Sequence, residues 1–100
     1  MQVVNTKVNE NTSELKIIGR LTVKTVPEVD EAFAKASSES TNVVLDLSEL
    51  DYIASSGLRS LKRLRSALRK KDGTLTVRGA KNDVMEIFKI TGFTAMLAFE

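Results

Sequence analysis

The sequence predicts one α/β domain over residues 1–100, with a mixed β-sheet, strand–helix–strand units and flanking helices. Three observations carry this expectation. Short β-rich segments alternate with amphipathic helical segments along the chain. The segment "NVVLDL" (residues 42–47) is nearly continuous in apolar residues, as in a strand covered on both faces. The first two β segments are separated only by the turn-type "NENTS", which makes them a hairpin. A hairpin followed by strand–helix–strand repeats forces a sheet that is part antiparallel and part parallel, with right-handed crossovers.

Each element has a local reason. "VVNTKV" (Val3 to Val8) is short and β-branched, and "ELKIIGRL" (Glu14 to Leu21) carries Leu15, Ile17 and Ile18. Thr25-Val26-Pro27-Glu28 has the form of a capping box, with proline in the first turn where its missing N–H costs nothing. Val26, Val29, Phe33 and Ala36 then recur at helical spacing. After the apolar strand comes "SELDYIA", read as a linker, and then a helix with Leu58, Leu61, Leu64 and Leu68 on one stripe. Asp72-Gly73 breaks that helix and "TLTVRG" (Thr74 to Gly79) is the next strand. "NDVMEIFKITG" is a capped helix with Val84, Ile87 and Phe88 inward and Gly92 at its end. "TAMLAFE" is an edge strand or a short terminal element.

Composition narrows the function. Hydrophobic content of 42% and charged content of 28% suit a globular domain that builds its own core. There is no cysteine and no histidine, which excludes disulfides, thiol chemistry, the usual zinc sites and imidazole-based catalysis. No carboxylate pair stands out, so an enzyme is not expected. The apolar runs are too short to cross a membrane, and the N-terminus lacks the basic-then-apolar pattern of a signal peptide, so the expectation is a cytoplasmic protein. A net charge of +2 is too small to imply nucleic acid.

The candidate site is the junction "DYIASSGLRSL" (residues 51–61), beyond the carboxyl end of a strand, where α/β folds bind their partners. Ser55 and Ser56 precede a helix, where serine is favoured simply as a cap. A serine-hydrolase elbow needs G-x-S-x-G and histidine, and a phosphate loop needs G-x-x-x-x-G-K-[ST]; neither is present. A phosphorylated serine is the other reading. Its charge would sit on the free N–H groups and positive dipole of the helix start, altering the surface without opposing the fold.

"VVLDLSELDYIASSGLRSL" resembles the signature of STAS domains, the family of bacterial anti-sigma factor antagonists, and "LKIIGRLTVKTVPEVDEAF" resembles its upstream part. The resemblance extends over nearly the whole chain. It implies a single STAS-like domain of residues 1–100 and no cofactor, metal or catalytic residue. It implies phosphorylation at Ser56, directly before the glycine, in an environment of Ala54, Ser55, Gly57 and Leu58. The partner it implies is an anti-sigma factor that is also a serine protein kinase. That kinase is bound by the unphosphorylated chain and released by phosphorylation, which regulates sigma-dependent transcription. The chain departs from the family pattern at Ala54 and Thr22, where aspartates are usual on the phosphorylation surface. With those departures, the alternative is a STAS scaffold or ligand-binding module whose serines only cap.

"RSLKRLRSALRKK" is the densest charge in the chain. Arg59, Lys62, Arg63, Arg69 and Lys70 spread opposite the leucine stripe, with Arg65 at its margin. They form either a solvated helix face or a docking surface for an acidic partner. Partner contacts are accordingly assigned to Thr22, Arg59, Lys62 and Arg63. The helix lacks the aromatic residues of a membrane-surface helix, and no interleaved aromatics suggest direct nucleic-acid binding. A monomer or weak dimer is expected. Asp46 is read as a structural carboxylate near its strand end.

Overall fold

A computed structural model describes all of residues 1–100. The chain runs β1 (Gln2–Asn9), β2 (Thr12–Leu21), α1 (Val26–Glu39), β3 (Asn42–Asp46), β4 (Leu50–Ile53), α2 (Ser55–Arg69), β5 (Thr74–Arg78), α3 (Asn82–Ile90), a 3₁₀ turn (Phe93–Ala95) and β6 (Ala98–Phe99). The sheet order is β1-β2-β3-β5-β6, with β4 attached to the far end of β2. β1 is antiparallel to β2, and every other pairing is parallel. The α/β class, the mixed sheet and the hairpin are as the sequence predicts.

One face of the sheet carries the core. Leu15, Ile17 and Leu21 of β2, Val43 and Leu45 of β3, and Leu75 and Val77 of β5 are buried against Val29, Phe33 and Ala36 of α1 and Leu58, Leu61, Leu64 and Leu68 of α2. The other face differs from expectation. β3 is not covered on both sides: its burial alternates, and Val44 and Asp46 are only half-buried. They lie in register with Glu14 and Lys16 of β2 and with Thr76 and Arg78 of β5. The outer face is therefore a ladder of charge, with Lys16 paired to Glu49 at 2.6 Å and Arg78 to Glu14 and Glu100. Val44 is the apolar residue that made this strand look two-sided.

The segment read as a linker contains a strand. Leu50–Ile53 forms β4, which runs parallel to the end of β2 from Gly19 to Leu21. β2 thus serves two neighbours, β3 along its first half and β4 along its last residues. Asp46 closes the turn between β3 and β4: its Oδ1 accepts the Ser48 N–H at 3.0 Å. The hydrogen bond from the Ser48 side chain is the main reason its carboxyl lies below the usual carboxylate range. The Ser48 amide and the charge of Lys16 add to this, and partial burial opposes them.

The capping box at α1 is not formed. The Thr25 side chain makes no cap bond to the helix. Its Oγ1 instead accepts the Thr22 N–H at 2.8 Å and donates to the Arg20 carbonyl at 2.8 Å, tightening the turn out of β2. The other end of α1 has no basic residue of its own. Lys7 of β1 supplies one, reaching the Glu39 carbonyl at 2.6 Å and Ser40 Oγ at 2.9 Å. After α2, Asp72 takes a left-handed conformation at φ 58° and Gly73 presses against Thr41. Gly92, at φ 80°, follows the end of α3 as the sequence suggests. The closing segment resolves into the 3₁₀ turn and β6. Phe88 lies 6.1 Å from Phe93 and 6.0 Å from Phe99, so one aromatic cluster ties α3 to both.

Two predictions follow from these contacts. A β-carbon at Gly73 would overlap the Thr41 carbonyl oxygen, a backbone atom that cannot rotate away. Gly73→Ala is expected to lower unfolding free energy by about 3 kcal/mol or more, read from the urea midpoint. Because the folded pKa of Asp46 is depressed, its ionised form stabilises the fold above its unfolded value, and that contribution disappears as pH falls through the folded one. Asp46→Asn should be less stable than the parent at neutral pH, with the gap closing below about pH 4. A gap that persists fully into strong acid would contradict the assignment.

Candidate functional site at the head of the second helix

β2 and β4 end side by side, with Leu21 paired to Ile53. The chain leaves β2 through the Thr22–Thr25 turn and leaves β4 through Ala54, whose N–H bonds the Leu21 carbonyl at 2.9 Å. α2 starts at once. This brings Thr22 to the same end of the sheet as the serine pair, as a parallel β2–β4 pairing requires.

Gly57 explains how closely the first turn sits. A β-carbon there would come within 2.7 Å of Leu21 Cγ and 2.9 Å of Ile53 Cγ1. Glycine lets the helix backbone lie directly on the two strand ends. Leu58 follows it into the core, and its N–H bonds the Ala54 carbonyl at 3.1 Å, the first rung of the helix. The N–H groups ahead of that rung have no intrahelical partner.

The serines do not cap. Ala54 is the N-cap residue, and no side chain caps the N–H groups of the first turn. Ser55 is the first helical residue and is exposed. Ser56 is only partly buried as a residue, but its Oγ is buried and has no hydrogen-bond partner. The two hydroxyls are therefore unequal. Ser55 presents its oxygen to solvent, whereas Ser56, which the resemblance nominates, turns its oxygen inward. A serine count cannot distinguish them; the helix phase relative to Leu21 and Ile53 does.

The cationic residues also separate. Arg59 and Lys62 are exposed and pair with no carboxylate. Arg63 reaches across to Asp30 of α1 at 3.2 Å and to Ser60 Oγ at 3.1 Å. Ser60 in turn bonds the Ser56 carbonyl at 3.3 Å. Arg63 thus tethers α2 to α1. Around the junction the structure adds residues that sequence reasoning missed. Val23 is 72% exposed on the turn beside Thr22. Arg20 stacks its guanidinium 4.6 Å from the centre of the Tyr52 ring. Reading β4 as a linker hid Tyr52, because without the β2–β4 pairing nothing places it opposite Arg20. Asp46, Glu49 and Asp51 diverge: they engage Ser48, Lys16 and Lys81 respectively, and the Lys81 pairing lowers the pKa of Asp51.

This order of elements, with the serine junction at the head of the helix after β4, matches the family model described as STAS domain over residues 3–100. The chain belongs to the STAS-domain family. Relatives of this STAS domain include the anti-sigma-B factor antagonist of Staphylococcus epidermidis, 30% identical over 94% of this chain and 88% of that protein. A putative anti-sigma factor antagonist, BtrV, of Bordetella bronchiseptica is 39% identical over 66% of this chain, a stretch that spans 57% of the relative. Among solved structures, the anti-sigma factor antagonist SpoIIAA in its unphosphorylated form superposes with a TM-score of 0.87 at 16% identity. That match covers 99% of this chain and 88% of the other. The SulP transporter STAS domain of Vibrio cholerae has the same fold, with a TM-score of 0.68 at 12% identity over 95% and 77% of the two chains. No helix of the chain is long and apolar enough to cross a membrane.

The packing of Gly57 is open to test. Alanine is the better helix former, by up to about 1 kcal/mol. Gly57→Ala should nevertheless destabilise the STAS domain by about 1–2 kcal/mol, because Leu21 and Ile53 must yield to the added methyl. Urea unfolding measures this; a neutral or stabilising effect would mean that the first turn does not lie on the strand ends.

Proposed function

We propose that this STAS domain is an anti-sigma factor antagonist, a regulatory binding protein rather than an enzyme, acting in the cytoplasm. In its unphosphorylated form it binds an anti-sigma factor that is also a serine kinase, and phosphorylation at the head of α2 releases it. The reaction transfers the γ-phosphoryl of ATP to a serine Oγ. An O–P bond forms, the bond to ADP breaks, and the hydroxyl proton leaves.

The family resemblance nominates Ser56 as acceptor, within the environment of Ala54, Ser55, Gly57 and Leu58. The single observation that supports the reading is an unpartnered serine oxygen, Ser56 Oγ, in the first turn of α2, where the backbone N–H groups have no intrahelical partner. Ser55 is exposed, whereas Ser56 Oγ is buried without a partner. Ser55 is the more exposed of the pair, but Ser56 is itself only half-buried and one side-chain rotation brings its Oγ to the surface, so Ser56 is the acceptor and Ser55 its neighbour. Thr22, Arg59 and Lys62 flank the acceptor as contact residues, and the tether of Arg63 to Asp30 limits its part.

A STAS module that binds its partner without being modified is the competing reading. Ala54 and Thr22 favour it, since they replace carboxylates that the family pattern has beside the acceptor. The absence of any side-chain cap counts against serines that serve only as caps.

Incubation with the cognate kinase and ATP, followed by intact-mass measurement, tests the proposal. One phosphate is expected on the parent chain and on Ser55→Ala, and none on Ser56→Ala. Phosphate that persists on Ser56→Ala and is lost in Ser55→Ala would move the assignment to Ser55. No phosphate on any form would leave the unmodified module. Ser56→Asp should weaken partner binding at least about tenfold with little change in thermal midpoint.

A further inference from the structure

Four observations converge on Arg59. It is exposed and has no carboxylate partner, although the molecule holds six ion pairs. It lies four residues after Ser55 and three after Ser56, one turn along the same helix. Helical side chains lean toward the N-terminus, so the surface covered by Arg59 is that of the serine pair. The first turn of α2 also has no acidic residue and no side-chain cap, leaving its positive end uncompensated.

Other cations are less suited. Lys62 starts two turns from Ser55, and Arg63 is committed to Asp30 and Ser60. Lys81, the nearest cation after β5, is paired to Asp51.

We propose that Arg59 reads the phosphorylation state of the serine pair: free, it heads the basic docking face of α2, and once phosphate is added it folds back and binds that phosphate. This rests on the switch reading above and supplies its regulation. The planar guanidinium can take two phosphate oxygens at once, while the free N–H groups of the first turn take the third. Capture does two things together. It removes the leading cation from the surface an acidic partner would meet, and it leaves that end of the face negative. Release of the partner would then come from withdrawal of an attraction as well as from added repulsion.

The test installs phosphoserine at position 56 during translation, without a kinase, and follows the phosphate by ³¹P NMR across pH. The proton affinity of the phosphate should be about threefold lower in the parent than in Arg59→Gln, with partial recovery in Arg59→Lys. The difference should shrink in about 0.5 M salt. Lys62→Gln should leave the parent value unchanged. Identical titrations for the parent and Arg59→Gln, or an equal shift in Lys62→Gln, would overturn the proposal. Because no kinase or partner enters the experiment, this outcome is independent of whether the domain is phosphorylated by a partner. That question is answered separately by the mass measurement.

Discussion

The short contact between Gly57 and the ends of β2 and β4 sets the geometry on which the site depends. Leu21 and Ile53 meet as paired residues, and the helix backbone rests on both without an intervening side chain. That contact fixes the azimuth of α2. Once it is fixed, Leu58, Leu61, Leu64 and Leu68 must face the sheet, Ser55 and Arg59 must face water, and Ser56 falls half-buried between them. Any wider residue at position 57 would tilt or lift the helix and blur this division.

The same packing produces an electrical asymmetry. α2 and the two residues after it carry seven cations, Arg59, Lys62, Arg63, Arg65, Arg69, Lys70 and Lys71, and no acid, in a chain whose net charge is only +2. The rest of the chain is therefore net acidic. On the open side of the sheet, Glu14, Glu49 and Glu100 pair with Lys16 and Arg78. The basic face has few internal partners and so remains available to steer an acidic protein toward the serine end. A phosphate there would sit at the head of the densest run of cations in the chain, with little consequence for the core.

The fold was largely legible because its determinants are local. The leucine stripe of α2 and the turn signals at Asp72-Gly73 and Gly92 each need only a few neighbouring residues to be recognised. The failures occurred where tertiary contacts reassigned a local signal. Thr25 looked like a cap, but its hydroxyl bonds the turn and the Arg20 carbonyl. "NVVLDL" looked doubly buried, but its outward residues join a charge ladder contributed by β2 and β5. β4 looked like a linker because four residues show no period of their own; its strand character comes from pairing with the end of β2.

The sequence by itself determined the α/β class, the order of the main elements, the family signature and the location of the serine junction, because periodicity, turn residues and motif spacing are written along the chain. Only the tertiary structure decided which serine is exposed, that neither is a cap, and that Arg63 is tethered while Arg59 is free. Those distinctions depend on the rotation of one helix about its axis and on what lies beneath it. Ser55 and Ser56 are the same residue type one position apart, and about 100° of helical turn separates a hydroxyl in water from one against the core.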